Sequence, residues 1–176
     1  LYTPERIQSV KNRIAREPEV AECWKQIKET ADKKLQNGGL NDVEYLSLTY
    51  LMTGEKKYSD RIKKILLDVI QAKTWGSAEM LARIPVWTAD LGLSHKAHLS
   101  AIAYDAIYND LSTSERKEIA LGLKRLALDP SLGDWLLEPT RIHALNSMGH
   151  NWWTSCVCMG GLLALSLQNE IPEAKE

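Results

Sequence analysis

The side chains best suited to chemistry on a sugar lie in one segment, between Trp135 and Trp153. This segment contains two His, two Asn, one Arg and three Trp. An amide N–H can stabilise a carboxylate or enolate oxygen, and an imidazole can carry a proton near neutral pH. An indole ring offers a flat apolar face with a polar edge. The candidate residues here are Arg141, His143, Asn146, His150, Asn151, Trp152 and Trp153.

Asn151 and His150 are the central candidates because they directly precede an apolar run. They would lie at a helix N-terminus, where free backbone N–H groups and the helix dipole favour an anion. Asn151 is either the helix cap or an amide donor to a substrate carboxylate. His150 is either a structural side chain or a group that contacts substrate and transfers a proton.

The other members of the segment have similar pairs of interpretations. Trp152 and Trp153 are adjacent and would point about 100° apart on a helix, so one can pack inward while the other lines a cleft. Alternatively, both belong to the core. His143 is a structural or supporting residue, and Asn146 is a turn residue or a substrate contact. Arg141 supplies a cation for an anionic substrate.

A second polar group lies between Arg83 and His98. Trp87 is either a platform for sugar stacking or a core residue, and Asp90 lies near a predicted helix start. His95 and His98 are three residues apart without the carboxylate of the zinc-helix pattern, so we predict no metal site. There is also no phosphate-binding glycine loop or local nucleophile motif, and no cofactor is expected.

Composition excludes several other functions. A net charge of −1 on 176 residues gives no electrostatic footprint for nucleic acid, and no apolar run reaches the roughly 18 residues of a membrane span. Six Trp are present without a single Phe. Of the three Cys, Cys156 and Cys158 are interpreted as small apolar residues of a buried segment rather than a metal or redox pair.

Apolar residues recur at helical spacing along most of the chain, and no stretch alternates with period two. We therefore predict an all-α domain over 1–176, with about eight helices. Helix starts are predicted at Thr3-Pro4, at Glu17-Pro18, at Asn41 with Glu44, and at Ser112 with Glu115. The last helix, about 151–168, is apolar almost all round, which predicts an inner-layer helix covered on several sides.

Two motifs give the chain a family resemblance. The helix–turn–helix AYDAIYNDLS…ER, Tyr104 to Arg116, is followed by Asn151-Trp152 at the start of the apolar helix. In order and spacing they resemble the N-terminal helical domain of heparinase II/III-like polysaccharide lyases, a family that includes alginate lyases. The resemblance implies an incomplete (α/α) toroid of antiparallel helix pairs, followed in the full-length family by a β-sandwich.

The same resemblance implies β-elimination at a uronic acid. Asn151 matches the asparagine that neutralises the uronate carboxylate, and His150, Trp152 and Trp153 are plausible site members. The family's catalytic Tyr and second His come later in the chain, but no Tyr follows Asn151 here. The chain is therefore expected to be an N-terminal fragment, inactive alone, of a periplasmic or secreted lyase whose C-terminal part is missing.

The expected partner is an anionic polysaccharide or oligosaccharide, held by Arg141, Arg83 or Lys96. Two alternatives stay open. One is a toroid glycoside hydrolase acting on unsaturated uronates, which needs a carboxylate pair from Asp90, Asp134 and Glu138. The other is a carbohydrate-binding helical scaffold without catalysis.

Overall fold

The computed structural model describes residues 2–137 and 150–175, and within these ranges every regular element is helical. The all-α prediction is confirmed. The main helices are α1 Pro4–Ile14, α2 Pro18–Asn37, α3 Val43–Thr53, α4 Lys56–Val69, α5 Ala78–Leu81, α6 Leu91–Ile107, α7 Thr113–Leu123, α8 Asp129–Leu132 and α9 Asn151–Leu167. Wider helical turns, Lys124–Leu128 and Gly133–Leu137, follow α7 and α8.

Two predicted helix starts form as their local patterns indicate. Thr3 Oγ1 accepts a hydrogen bond from the Arg6 N–H at 3.3 Å, and Pro4 occupies the first helical turn. Ser112 and Glu115 form a reciprocal capping box, with donor–acceptor distances of 3.3 and 2.8 Å. These short-range hydrogen bonds satisfy N–H groups that have no partner inside the helix.

The predicted start at Asn41 is wrong. A helical turn begins at Leu40 and leads directly into α3, so Asn41 lies inside it. Asp42, rather than Glu44, provides the reciprocal carboxylate, and it accepts the Gly39 N–H at 2.9 Å. The two candidate acids are close in sequence, so spacing alone did not distinguish between them.

The central helix is α6, which packs against α3, α4 and α9. Most of its side chains are buried, including Leu99 and Tyr104. The expectation that α9 is the helix covered on several sides is therefore wrong for the described residues. α9 buries a single stripe, Cys156, Gly160, Leu163 and Leu167. Its opposite face, with Leu165 64% exposed, is open.

The C-terminal end of α9 is attached to α6 and its extension by one carboxylate. Glu170 accepts the phenol O–H groups of Tyr104 and Tyr108, each at 2.8 Å. The two tyrosine rings pack edge to face with centroids 5.7 Å apart. Tyr104 is buried and Tyr108 packs against the core, and their hydroxyls hold α9 in place.

The connection from α4 to α6 is fixed by Arg125, which lies after α7. Its guanidinium donates to the backbone carbonyls of Ile70, Ala72 and Lys73 at 2.9 to 3.2 Å. These carbonyls lie at and just after the end of α4, where no further N–H group of the helix can pair with them. Arg125 thereby holds the beginning of the connection that carries Trp75, Arg83 and Trp87.

Candidate functional site

Three tryptophans from distant parts of the chain meet beside the start of α9. The Trp87 ring lies 5.2 Å from that of Trp135 and 5.9 Å from that of Trp152, both tilted. The indole N–H groups of Trp87 and Trp135 both donate to the Ala89 carbonyl, at 3.2 and 2.7 Å. We call Trp87, Trp135 and Trp152 the Trp cluster. It joins the segment before α6, the turn after α8 and α9.

Trp87 is 4% exposed, and Trp135 is 5% exposed. A ring covered to this extent has no face open to a sugar, so the interpretation of Trp87 as a direct stacking platform is wrong for this structure. Trp87 is a core residue, the alternative that the sequence left open. Arg83 is exposed above it, with its guanidinium 5.6 Å from the Trp87 ring centroid.

Two buried carboxylates hold the backbone around the Trp cluster. Asp134 accepts the N–H groups of Thr88 and Ala89, each at 2.7 Å. Asp90 caps α6 by accepting the Leu93 N–H at 2.8 Å. Both carboxylates are thus engaged with backbone donors rather than presented to a cleft. Glu138 lies outside the described residues, so the pair needed by a glycoside hydrolase is not found in the described part of the chain.

Cys156 is buried close to these two carboxylates. Burial raises the pKa of the Cys156 thiol, and the negative charges of Asp90 and Asp134 add to the effect, opposed by a hydrogen bond with Ser94. A thiol with a raised pKa is a poor nucleophile. Cys156 is therefore a packing residue, as predicted, whereas Cys158 is exposed and that prediction is wrong for it.

His150 caps α9. Its Nδ1 accepts the Trp152 N–H at 3.2 Å, and its carbonyl accepts the Thr154 N–H at 3.0 Å. Because Nδ1 accepts, the neutral imidazole carries its proton on Nε2. The cap is therefore His150 rather than Asn151, and the half-buried imidazole retains an N–H donor on its other side.

Asn151 is the first residue of α9, and its side chain is exposed. Since His150 does the capping, the Asn151 amide is not needed for this purpose. It lies at the positive end of the dipole of a 17-residue helix, directly before Trp152 in the chain. This position allows the amide to donate to an incoming carboxylate.

Trp152 and Trp153 are both half-buried and packed against the core. Each therefore keeps part of its indole in solvent, which permits contact with a ligand at the start of α9. Arg141, His143 and Asn146 lie outside the described residues. Their predicted roles in substrate binding stay predictions.

Other predicted features have simpler surroundings. His95 is exposed, and His98 Nε2 lies 3.9 Å from a Glu44 oxygen. Over residues 2–137 and 150–175, no three His, Cys, Asp or Glu side chains gather as a metal site would require. Within the same ranges, no helix combines the length and apolarity needed to cross a membrane.

The contacts of Asp134 and Glu170 were not foreseen as structural links. Asp134 and Thr88 are separated by 46 positions, and Glu170 and Tyr104 by 66. The only sequence signal was isolated acids beside apolar runs, which does not reveal a partner. Comparison of the chain with protein-family models and with curated proteins gives no match. The family resemblance therefore rests on the motifs themselves.

Proposed function

We propose that this chain is the N-terminal toroid portion of a polysaccharide lyase that cleaves uronic-acid-containing polysaccharide by β-elimination. The observation that carries the proposal is the exposed Asn151 amide at the N-terminus of α9, which makes no hydrogen bond with residues 2–137 or 150–175 because His150 takes the cap. The motif resemblance supports the same function.

The reaction explains why such a donor is needed. A base removes the C5 proton of the uronate, and the electron pair moves into an enolate of the neighbouring carboxylate. Collapse of this enolate forms the C4–C5 double bond and breaks the C4–O bond, while an acid protonates the departing oxygen. A charged carboxylate opposes this change. Hydrogen bonds from Asn151 and positive helix-end N–H groups stabilise the charge that grows on its oxygens.

Neighbouring residues support binding in this proposal. The Nε2–H of His150, on the ring side opposite the cap, has no acceptor within the described ranges and can donate to a substrate oxygen. The exposed portions of Trp152 and Trp153 offer an apolar edge to the sugar ring. Arg83, exposed over Trp87, adds a cation beside the Trp cluster.

The base and the acid belong to sequence outside this chain in the proposal, with the rest of the toroid and a β-sandwich domain. The exposed Leu165 on α9 supports this, because it offers an apolar contact to further helices. A lyase acting on extracellular polymers is proposed to be periplasmic or secreted. The 176-residue chain alone is expected to be inactive.

Product analysis tests the reaction class. The protein encoded by the whole open reading frame is incubated with a panel of uronate polymers. Elimination produces a C4–C5 double bond with ultraviolet absorbance, and no oxygen is incorporated from ¹⁸O-labelled water. Incorporation of the label without absorbance would identify a hydrolase and contradict the proposal. Binding without any product across the panel would leave the scaffold alternative and would also contradict it.

A further inference from the structure

A recess to which α9 contributes no lining residue lies between the turn that precedes α3 and the connection from α4 to α6. Its volume is about 440 Å³, and it is open to solvent. The side chains that give it chemical character are Asn41, Asp42, Thr74, Trp75 and Lys96. We call this recess the Lys96 cleft.

The two charged residues that line the Lys96 cleft are Asp42 and Lys96, and Lys34, just outside the lining, pairs with Asp42 and leaves Lys96 as an excess cation. The Asp42 carboxylate is engaged by the Lys34 ammonium at 3.0 Å and by the Gly39 N–H at 2.9 Å. Hydrogen bonds and the charge of Lys34 lower the pKa of Asp42 against the opposing effect of burial, so it stays ionised and paired. Lys96 has no carboxylate within ion-pair distance among the described residues. The cleft therefore favours an anion.

Trp75 gives the Lys96 cleft an apolar wall. It is 7% exposed, and the Lys96 Nζ lies 5.9 Å from its ring centroid. The cation is thus held against an aromatic surface rather than extended into solvent. Asn41 and Thr74 are exposed at the same cleft and offer amide and hydroxyl groups. A carboxylate on a hydroxylated ring matches this combination better than a bare anion does.

We propose that the Lys96 cleft binds a sugar acid, with Lys96, which lies over the buried Trp75 ring, on the carboxylate, and with Asn41 and Thr74 on hydroxyls. The choice of a sugar acid rests on the proposed function, whereas the preference for a carboxylate rests on the cleft itself. The cleft is thus an additional subsite for the polymer, separate from Asn151.

The path of the chain connects the Lys96 cleft to the Trp cluster. Gly76, next to Trp75, packs so closely on Thr88 that an added Cβ would lie 3.2 Å from the Thr88 carbonyl oxygen. Thr88 directly follows Trp87 and is held by Asp134. One closed loop therefore carries both the wall of the cleft and Trp87 of the Trp cluster.

Binding to the 176-residue chain is measured by NMR titration of the Trp75 indole N–H, assigned with Trp75→Phe. The ligands are methyl β-D-glucuronide, methyl β-D-glucoside without the carboxylate, and acetate without the ring. We expect the glucuronide to move the Trp75 signal and to bind at least tenfold more tightly than either control. Equal affinity of glucoside and glucuronide, or a Trp75 signal that does not move, would overturn the inference.

Matched variants test whether Lys96 is the cation that binds the carboxylate. Lys96→Met is expected to weaken glucuronide binding at the Trp75 signal at least tenfold, whereas Lys96→Arg retains most of it. Lys64→Met removes an exposed lysine of α4 and serves as the control for net charge. Circular dichroism checks that each variant is folded, and Asn151→Ala is expected to leave the Trp75 titration unchanged.

The outcomes separate this inference from the proposed function. If the full-length protein is a lyase but Lys96→Met binds as well as wild type, the inference fails and the proposed function stands. If the cleft binds glucuronide while the full-length protein eliminates nothing, the proposed function fails and the cleft remains a sugar-acid site.

Discussion

The helices α6 and α9 have equal length and a similar apolar composition, but they are buried to different extents. Each has 17 residues and is rich in apolar and small side chains. α6 is enclosed by α3, α4 and α9, whereas α9 buries only one stripe. Apolar composition therefore indicates that a helix needs cover, but the packing partners decide which helix receives it.

The two helices also differ in what they contribute, because α6 stabilises the fold and the start of α9 carries the proposed functional residues. The enclosed α6 supplies the core, and its N-cap, Asp90, is itself nearly buried. The start of α9 is half-open and carries His150 and Asn151, which the proposed chemistry needs accessible to a ligand. The comparison can be tested by making equivalent changes in the two helices.

The largest expected contrast is between two leucines. Leu99→Ala on α6 removes a side chain that is 1% exposed, and should lower the free energy of unfolding by about 3 kcal/mol. Leu165→Ala on α9, 64% exposed, should change it by less than about 0.5 kcal/mol. Urea denaturation of both variants measures this. Similar losses at the two positions would mean that α9 is enclosed as tightly as α6.

The attachment between the two helices should have the next largest effect. Glu170→Ala leaves the phenols of Tyr104 and Tyr108 without their carboxylate partner, and is expected to cost about 2 kcal/mol. Glu170→Gln keeps one carbonyl acceptor and should cost less. Denaturation midpoints give the order. A cost for Gln as large as for Ala would show that charge, rather than hydrogen bonding, holds α9.

The two helix caps provide a smaller contrast. Asp90→Ala removes the buried acceptor of the Leu93 N–H, and should cost about 2 kcal/mol. His150→Ala removes a half-buried cap and should cost about 1 kcal/mol. Asp90→Asn and His150→Asn retain an acceptor and serve as matched controls. Equal losses of unfolding free energy in Asp90→Ala and His150→Ala would contradict the claim that the start of α6 is more buried than the start of α9.

The smallest effect is expected in alkaline solution. Burial, followed by the hydrogen bond and charge of Glu170, raises the pKa of the Tyr104 phenol above its ordinary value of 10.0. Above pH 10 the unfolded chain loses this proton while the folded chain keeps it, so stability declines as the pH rises. Each such group contributes at most about 1.4 kcal/mol per pH unit.

Tyr104→Phe should therefore make the decline in stability above pH 10 shallower, with the exposed Tyr45→Phe as control. Tyr50, whose pKa burial and Asp110 raise to about 12, continues to contribute in both variants. Unfolding measured from pH 8 to pH 11 gives the slopes. An unchanged slope in Tyr104→Phe would indicate that its phenol reaches solvent in the folded chain.

Local sequence signals predicted the local structure well. The helical class, the caps at Thr3 and Ser112, and the start of α9 at Asn151 follow from residues within four positions of one another. Such contacts form within one helical turn, so a linear pattern contains them. The sequence does not indicate that His150 caps its own helix, because imidazole is an uncommon cap.

Long-range packing could not be read in the same way. The choice of α6 over α9 as central helix, the burial of Trp87, and the bond from Asp134 to Thr88 all depend on segments far apart in the chain. Apolar periodicity predicts which face of a helix is buried, but it does not identify the segment that packs on that face. The Lys96 cleft likewise arises from three separate segments, although Lys96 itself was recognised as a possible substrate contact.

The central claim is that Asn151 neutralises a uronate carboxylate during elimination. The direct test is the rate of double-bond formation by the full-length protein on a uronate polymer, compared between wild type and Asn151→Ala. We predict a loss of about 100- to 1,000-fold in kcat for Asn151→Ala, as for removal of an oxyanion donor. Lys64→Met, at an exposed position of α4, should keep the kcat of wild type. An Asn151→Ala protein with the kcat of wild type would contradict the account.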